Sequence, residues 1–522
     1  MLIVQTNKAK YEYDIHSLVK AFYPEQEVKV LTPESVIKDR KIKEIEPMME
    51  IVFSGSEVLL KIRNEAGKYS LHNNKDFAVG SDDADYETIQ KDEQRQAEEG
   101  WHVYTWTIPD RLSDSDYKNA FKRFLYTSLR EETGVSLPWG NLTGIRPTKI
   151  AMTMMEQGKR EKEIAAYLRE EHLVSKEKTR LGIEIAKREK SLLDQLHYED
   201  GYSLYIGIPF CPTTCLYCSF TSFPISVWKE RVGEYLSALE KEIDYIAGAY
   251  RDRKLDTIYI GGGTPSALSA AELDRLLAKV RTAFDFTYVK ELTVEAGRAD
   301  SITRDKLQVL YRHGVTRISV NPQTMKQATL DFIGRRHTVE QVADAFRLAR
   351  EVGFDNINMD IILGLPGETA ADVQATVDAI KELEPDSLTV HSLAVKRASK
   401  LRGWIEQNGI AMINNTEEMM QIAAQGAADM GMFPYYLYRQ KNMSGNFENV
   451  GYAGEGKYGI YNILIMEEKQ TIVALGAGSI TKKVYPDGRI ERCENVKNVA
   501  EYIERIDEMI ERKRKLLSDS TE

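Results

Sequence analysis

Between residues 200 and 392, six short runs rich in branched aliphatic residues recur at Leu204–Ile208, Thr257–Gly261, Leu292–Glu295, Arg317–Val320, Ile357–Leu363 and Ser387–His391. Amphipathic segments separate them; Ala270-Ala-Glu-Leu-Asp-Arg-Leu-Leu-Ala-Lys-Val-Arg281 carries Leu and Val at helical spacing. Strand–helix units in series commit a chain to a parallel sheet with crossover helices, since parallel neighbours cannot be joined by a tight hairpin. Six units rather than eight predict an α/β fold built as an incomplete, TIM-like (β/α)6 barrel. In such a fold the chemistry belongs at the C-terminal ends of the strands.

A chain of 522 residues exceeds what one core supports, so the barrel must have company. Residues 1–135 read as an N-terminal α+β module. Glu50–Arg63 holds two strand-like runs about a Ser-Gly turn, Lys68–His72 is a third candidate, and a helix capped by Ser113 runs to about Glu132, stopped by Gly134. Residues 136–196 read as a connector: a Gly/Pro-rich loop at Leu137–Lys149, then charged helices with Ser175 as a cap. The barrel is expected over 197–430 and a C-terminal extension over 431–522, with strands at Tyr461–Met466 and Thr471–Leu475 and a helix from about Val496 to Leu516. Gly454-Glu-Gly-Lys-Tyr-Gly459 satisfies G-x-G-x-x-G, but the apolar run after it reads as a strand, against a dinucleotide site. Hydrophobic content of 42%, charged content of 29% and a net charge of −10 describe an ordinary globular chain and argue against nucleic acid as a partner. No apolar run approaches the ~18 residues that cross a bilayer. The N-terminus lacks the layout of a secretory signal. A cytoplasmic protein without a membrane partner is expected.

Cys211, Cys215 and Cys218 follow the first strand at the spacing C-x3-C-x2-C. Thiolates are soft ligands suited to iron–sulfur clusters, and a [4Fe–4S] cluster normally takes four. Three would leave one iron open to a ligand that is not protein. Structural zinc wants a fourth Cys or His, and none lies nearby. Four cysteines in 522 residues do not make a disulfide framework; Cys493, far along the chain, reads as incidental.

Further motifs fall at successive strand ends: Gly261-Gly-Gly-Thr-Pro-Ser266, Glu295-Ala-Gly-Arg298, Asn321-Pro-Gln323 with Ile333-Gly-Arg-Arg-His337, and Asn358-Met-Asp360 leading to Gly364-Leu-Pro-Gly367. Glycines let a backbone approach a ligand, a strand-end acid suits ribose hydroxyls, and an arginine can pair a carboxylate in bidentate fashion.

The cysteine spacing and the order of these motifs resemble the radical S-adenosylmethionine superfamily. Tyr205-Ile-Gly-Ile-Pro-Phe-Cys211, Gly261–Pro265, Ile333–Arg335, Asp360–Gly367 and Leu475-Gly-Ala-Gly-Ser479 are similar to the oxygen-independent coproporphyrinogen III oxidase (coproporphyrinogen dehydrogenase) family. The long N-terminal module, Gly144-Ile-Arg-Pro-Thr148, Asn321-Pro-Gln-Thr324 and Tyr436–Asn442 resemble its HemZ type. The resemblance implies a radical oxidoreductase that decarboxylates two propionates of coproporphyrinogen III to vinyl groups, giving protoporphyrinogen IX for haem synthesis. A haem chaperone or a haem-directed radical methyltransferase of the same family is the alternative. It implies a [4Fe–4S] cluster on Cys211, Cys215 and Cys218, and S-adenosylmethionine held by Tyr217, Gly262, Gly263, Thr264, Glu295, Gln323, Arg335 and Asp360. Tyr205 matches a tyrosine near the cofactor and is the candidate catalytic residue. Arg397 and Arg439, with Lys396, Lys400, Arg402 and Lys441, are candidate cations for substrate carboxylates. The implied partners are a tetrapyrrole and an electron donor such as flavodoxin or ferredoxin, with the chain a monomer. Arg298 stands where the family often has proline, and Gly207 where the decarboxylases commonly carry histidine.

Overall fold

The computed structural model describes residues 1–38, 46–63, 101–396, 399–408, 413–440 and 447–518. The strand expected at Lys68–His72, and Arg397 and Lys441 among the candidate cations, lie outside the described residues. The chain forms two compact units, 1–144 with 159–180 and 145–158 with 181–522. The stretch expected as a connector is thus divided between them.

In the first unit, strands β1 (Leu2–Thr6), β2 (Val28–Leu31), β3 (Met49–Ser54), β4 (Glu57–Arg63) and β5 (Trp101–Thr107) form a sheet in the order β2-β1-β3-β4-β5. β1 runs parallel to β2 and β3, while β3, β4 and β5 are antiparallel. β4 alternates as a half-buried strand must, with Val58, Leu60 and Ile62 turned to the core. Helices Glu12–Phe22 and Asp114–Thr133 close over that face through Ile15, Leu18, Phe121, Leu125 and Leu129. The second helix has its expected ends: the Ser113 side chain accepts from Asp116 N–H, and Gly134 takes the left-handed conformation.

In the second unit, six parallel strands follow one another in chain order: β6 (Gly201–Ile208), β7 (Lys254–Gly262), β8 (Glu291–Gly297), β9 (Arg317–Val320), β10 (Ile357–Leu363) and β11 (Ser387–Ser392). Reciprocal capping boxes start several crossover helices, Ser269 with Glu272, Thr338 with Gln341 and Thr369 with Asp372. The extension adds strands at both edges. β12 (Phe433–Tyr438) and β13 (Asn449–Ala453) continue antiparallel beyond β11. β14 (Thr471–Leu475) runs parallel to β6, and β15 (Ile480–Val484) and β16 (Ile490–Glu494) follow antiparallel.

Register sorts the side chains by face. Ser203, Tyr205 and Gly207 pair with Thr257, Tyr259 and Gly261; Ser319 pairs with Asn358, and Asn358 and Asp360 pair with Ser387 and Thr389. These residues share the inner face, while Leu204, Ile206, Ile258, Ile260, Val294, Ile318, Met359 and Val390 alternate with them and are buried. The interior is accordingly polar and internally bonded. Thr257 Oγ1 donates to Ser203 Oγ (2.8 Å), Arg317 to Ser387 (3.0 Å), and Ser387 and Thr389 to Asn358 Oδ1 (3.1 and 3.0 Å).

One expected strand is a helix. Ile460–Glu467 is helical, and its Ile460 N–H donates to Glu291 Oε2 (2.5 Å) at the start of β8. An apolar run this short carries no decisive period; here tertiary contact decides, since the Tyr461 ring stacks on Tyr259 at 4.5 Å. Gly454–Gly459 therefore precedes a different element from the one expected. A helix does follow the glycines, but a carboxylate of the chain itself already occupies its N-terminus. The helix expected over Val496–Leu516 is two, Val499–Glu504 and Ile506–Ser518. No helix among the described residues is long and apolar enough to cross a membrane.

Candidate functional site

The cysteine loop leaves β6 and is held at several points. Phe210–Cys211 pairs with Phe223–Pro224 beyond the third cysteine. Leu216 N–H donates to Ile333 O (2.9 Å), Leu401 N–H to Leu216 O (2.9 Å) and Thr213 Oγ1 to Gly334 O (3.1 Å). Cys211 and Cys215 are buried, and Cys218 partly so. Burial pushes the Cys211 thiol up to about 11, eased by the hydrogen bond that Thr264 Oγ1 donates to its sulfur (3.4 Å); burial likewise raises Cys218. Buried thiols of this kind become thiolates when a cation compensates them, as iron does. Among the described residues no three Cys, His, Asp or Glu side chains are placed to hold a single metal ion. A cluster whose thiolates each bind a different iron does not require them to meet at one point. Cys493 lies on β16, paired with Thr481, and takes no part in the loop.

The glycine segment after β7 lies against this loop. Gly263 N–H donates to Ile208 O (2.8 Å) and Thr264 N–H to Phe210 O (2.7 Å). A Cβ at Gly263 would stand 2.6 Å from Phe210 O, and Gly262 has φ of 107°. Gly263 is thus required by the backbone entering the cysteine loop, a reason the sequence reading did not contain. Beneath the segment is Tyr205, whose hydroxyl would be 3.1 Å from a Cβ on Gly262 and whose ring stacks with Tyr259 and Tyr461.

Glu295 at the end of β8 accepts from the Tyr259 hydroxyl. Burial raises its carboxyl to about 7, with Tyr259 opposing the rise and Asp360 adding to it. Burial works against ionised Asp360 too, but His391 (Nε2 to Oδ2, 3.8 Å) and the Asn358 amide (2.6 Å) outweigh it and hold Asp360 below the usual carboxylate range. Arg335 is buried; it donates to Asn321 O and to the Tyr217 hydroxyl (3.3 Å), and it reaches Cys215. Gln323 sits at φ 68°, strained for a residue with a side chain, held by its N–H to Asp360 O and by Ile362 N–H to its own carbonyl (each 2.9 Å).

Three buried polar atoms here have no partner: Asn321 Oδ1, Gln323 Oε1 and Arg335 Nε. Orphaned buried groups beside a thiol triplet and two strand-end acids are the complement of a polar, amino-acid-bearing cofactor next to a cluster. The residues fit both groups. Tyr217, Glu295, Gln323, Arg335, Asp360 and the glycine segment are therefore gathered around one strand-end region. Arg439 follows β12, almost wholly buried, and burial lowers its guanidinium to about 10. Lys396 is lowered by burial, while Arg402 is tied to Glu406 on an exposed helix face (3.1 Å).

Sequence reading missed Tyr259, His391 and Tyr438, whose hydroxyl meets His391 Nδ1 at 3.4 Å. Tyr259 was legible as an inward position two residues before Gly261. The Tyr438 contact joins distant strands and had no local signal. Arg298 lies between Asp300 and the cysteine loop, bonded to both.

A family model described as the radical SAM superfamily matches residues 205–380. The chain is 41% identical over 416 residues, 77% of its length and 83% of the relative's, to the oxygen-independent coproporphyrinogen-III oxidase-like protein HemZ of Bacillus subtilis. It is 37% identical over 195 residues to the heme chaperone HemW of the same organism, covering 37% of this chain and 51% of that one. The solved coproporphyrinogen III oxidase HemN of Escherichia coli overlays 61% of this chain and 72% of its own at 23% identity, with a TM-score of 0.48. With its cysteine triplet and strand-end site, the chain belongs to the HemZ-like coproporphyrinogen-oxidase family of radical S-adenosylmethionine proteins, whose cofactors are a [4Fe–4S] cluster and S-adenosylmethionine.

Proposed function

We propose that this chain is a radical oxidoreductase that converts coproporphyrinogen III to protoporphyrinogen IX without oxygen, in the cytoplasm, drawing electrons from a small donor such as flavodoxin or ferredoxin. The observation that carries the reading is the grouping of the thiol triplet, Glu295, Asp360, Gln323 and Arg335 at the strand ends of one polar-lined barrel; the similarity to the HemZ relative, named as coproporphyrinogen-III oxidase-like, supports the substrate. When bound, the cluster and S-adenosylmethionine supply one-electron reduction and hydrogen-atom abstraction. Cys211, Cys215 and Cys218 hold the cluster. Arg335 offers a fixed cation to a carboxylate, Glu295 and Asp360 accept from hydroxyls or amines, and Tyr205 supports the glycine segment from below. Each propionate would give one hydrogen atom from its β-carbon to the bound S-adenosylmethionine, and then lose CO2 and one electron to an external one-electron acceptor, leaving a vinyl group; that electron equals the one the donor spends on each S-adenosylmethionine. Lys396 and Arg439 are the described cations suited to the remaining carboxylates.

A haem-holding function is the second reading, favoured by the similarity to HemW. Anaerobic incubation of reconstituted, reduced protein with coproporphyrinogen III separates the two by product mass. Loss of two CO2 per substrate is expected. Stoichiometric haem binding with no CO2 released would contradict the decarboxylase.

A further inference from the structure

Arg298 carries a charge into the inner side of the cysteine loop. Its side chain is almost completely buried. Nη1 donates to Thr213 Oγ1 (2.6 Å) and Thr213 O (3.1 Å) and stands 4.0 Å from Cys215 Sγ. Nε and Nη2 donate to the two oxygens of Asp300 (2.9 and 2.6 Å). His337, buried, places Nδ1 3.9 Å from Asp300 Oδ1. The guanidinium thus grips the turn between the first two cysteines with one edge and a carboxylate with the other. A buried fixed cation beside a ligand sulfur lowers the energy of whichever cluster state is more negative.

We propose that Arg298 is a positioning and redox-tuning residue for the cluster: it fixes the Cys211–Cys215 turn through Thr213, its charge favours the one-electron-reduced cluster, and Asp300 sets how much of that charge the cluster feels. The proposal rests on Cys211, Cys215 and Cys218 being the cluster ligands. The electron comes from an external low-potential donor and is retained on the cluster as one added negative charge. Removing the cation makes reduction harder; removing the opposing carboxylate makes it easier. Loop packing alone would not produce shifts of opposite sign.

The test is an EPR-monitored redox titration, with dithionite as reductant, of the full chain reconstituted without oxygen, alongside iron and sulfide counts. Arg298→Met is expected to keep its iron while the reduced-to-oxidised ratio at a fixed potential falls by about tenfold, which is ~59 mV for a one-electron couple. Arg298→Lys, retaining the charge, should fall by less than half as much on that scale, and Asp300→Asn should move the ratio upward. An unshifted Arg298→Met protein with full iron, or Arg298→Met and Asp300→Asn shifting in the same direction, overturns the proposal. If Arg298→Met loads no iron, Asp300→Asn decides, and no rise in its ratio overturns it. Cys215→Ser with a full cluster would instead overturn the ligand assignment, which is a separable result.

Discussion

Glu295 is the residue at which function and stability oppose each other. Its folded carboxyl is raised to about 7 by burial, above the value of ~4.3 for an unperturbed Glu. Ionisation is therefore resisted by the fold. The cost is absent below the unfolded value, grows between the two and is complete above the folded one. In cofactor-free protein, Glu295→Gln should raise the melting temperature at pH 8 and leave it nearly unchanged at pH 4, a difference on the order of 1–3 kcal/mol. The same variant should weaken S-adenosylmethionine binding by about 1–3 kcal/mol, read by calorimetry, because a polar partner is left unpaired. Lower stability at pH 8 would show that the carboxylate is structural. Among the thiols, Cys493→Ser should leave the brown chromophore intact while Cys215→Ser abolishes it, checked by absorbance and iron content.

The glycine segment and the cysteine loop are one element in energetic terms, since each supplies the other's backbone partners. Gly263→Ala places a Cβ 2.6 Å from Phe210 O and must displace the entry to Cys211. It should cut iron loading severely. Gly233→Ala, in a helix with open space around it, should be neutral or stabilise by up to ~1 kcal/mol. Equal iron in the two variants would contradict the coupling. Strands β6 to β11 were legible because each is a short branched run between amphipathic segments, and the strand-end motifs were legible because their order follows the barrel. Ile460–Glu467 was not: its apolar residues fit either period, and what selects the helix is Glu291 at its N-terminus and Tyr259 under Tyr461, both far away in sequence.

Over the second unit as a whole, the C-terminal extension does more than edge the sheet. Lys513 Nζ and Glu242 Oε1 form a wholly buried pair at 2.6 Å. Glu242 also accepts from Gly476 N–H (2.8 Å), Tyr502 OH (2.6 Å) and Asn495 (2.8 Å), while Tyr235 OH donates to Gly207 O (2.7 Å) at the end of β6. The last helix is thereby connected to the strand from which the cysteine loop departs. Lys513→Met leaves a buried carboxylate uncompensated and should cost about 3–5 kcal/mol in denaturant unfolding, much of it recovered in the Lys513→Met/Glu242→Gln double variant. A loss below ~1 kcal/mol would mean that the pair is dispensable. None of this was legible beforehand, because a lysine in a charged C-terminal helix carries no sign that it is buried. The proposed chemistry depends on a cluster at the cysteine triplet with one iron open to S-adenosylmethionine. EPR of the reduced, anaerobically reconstituted chain tests it: the expected result is a cluster signal whose g-values shift when S-adenosylmethionine is added, and a spectrum unchanged by that addition would contradict it.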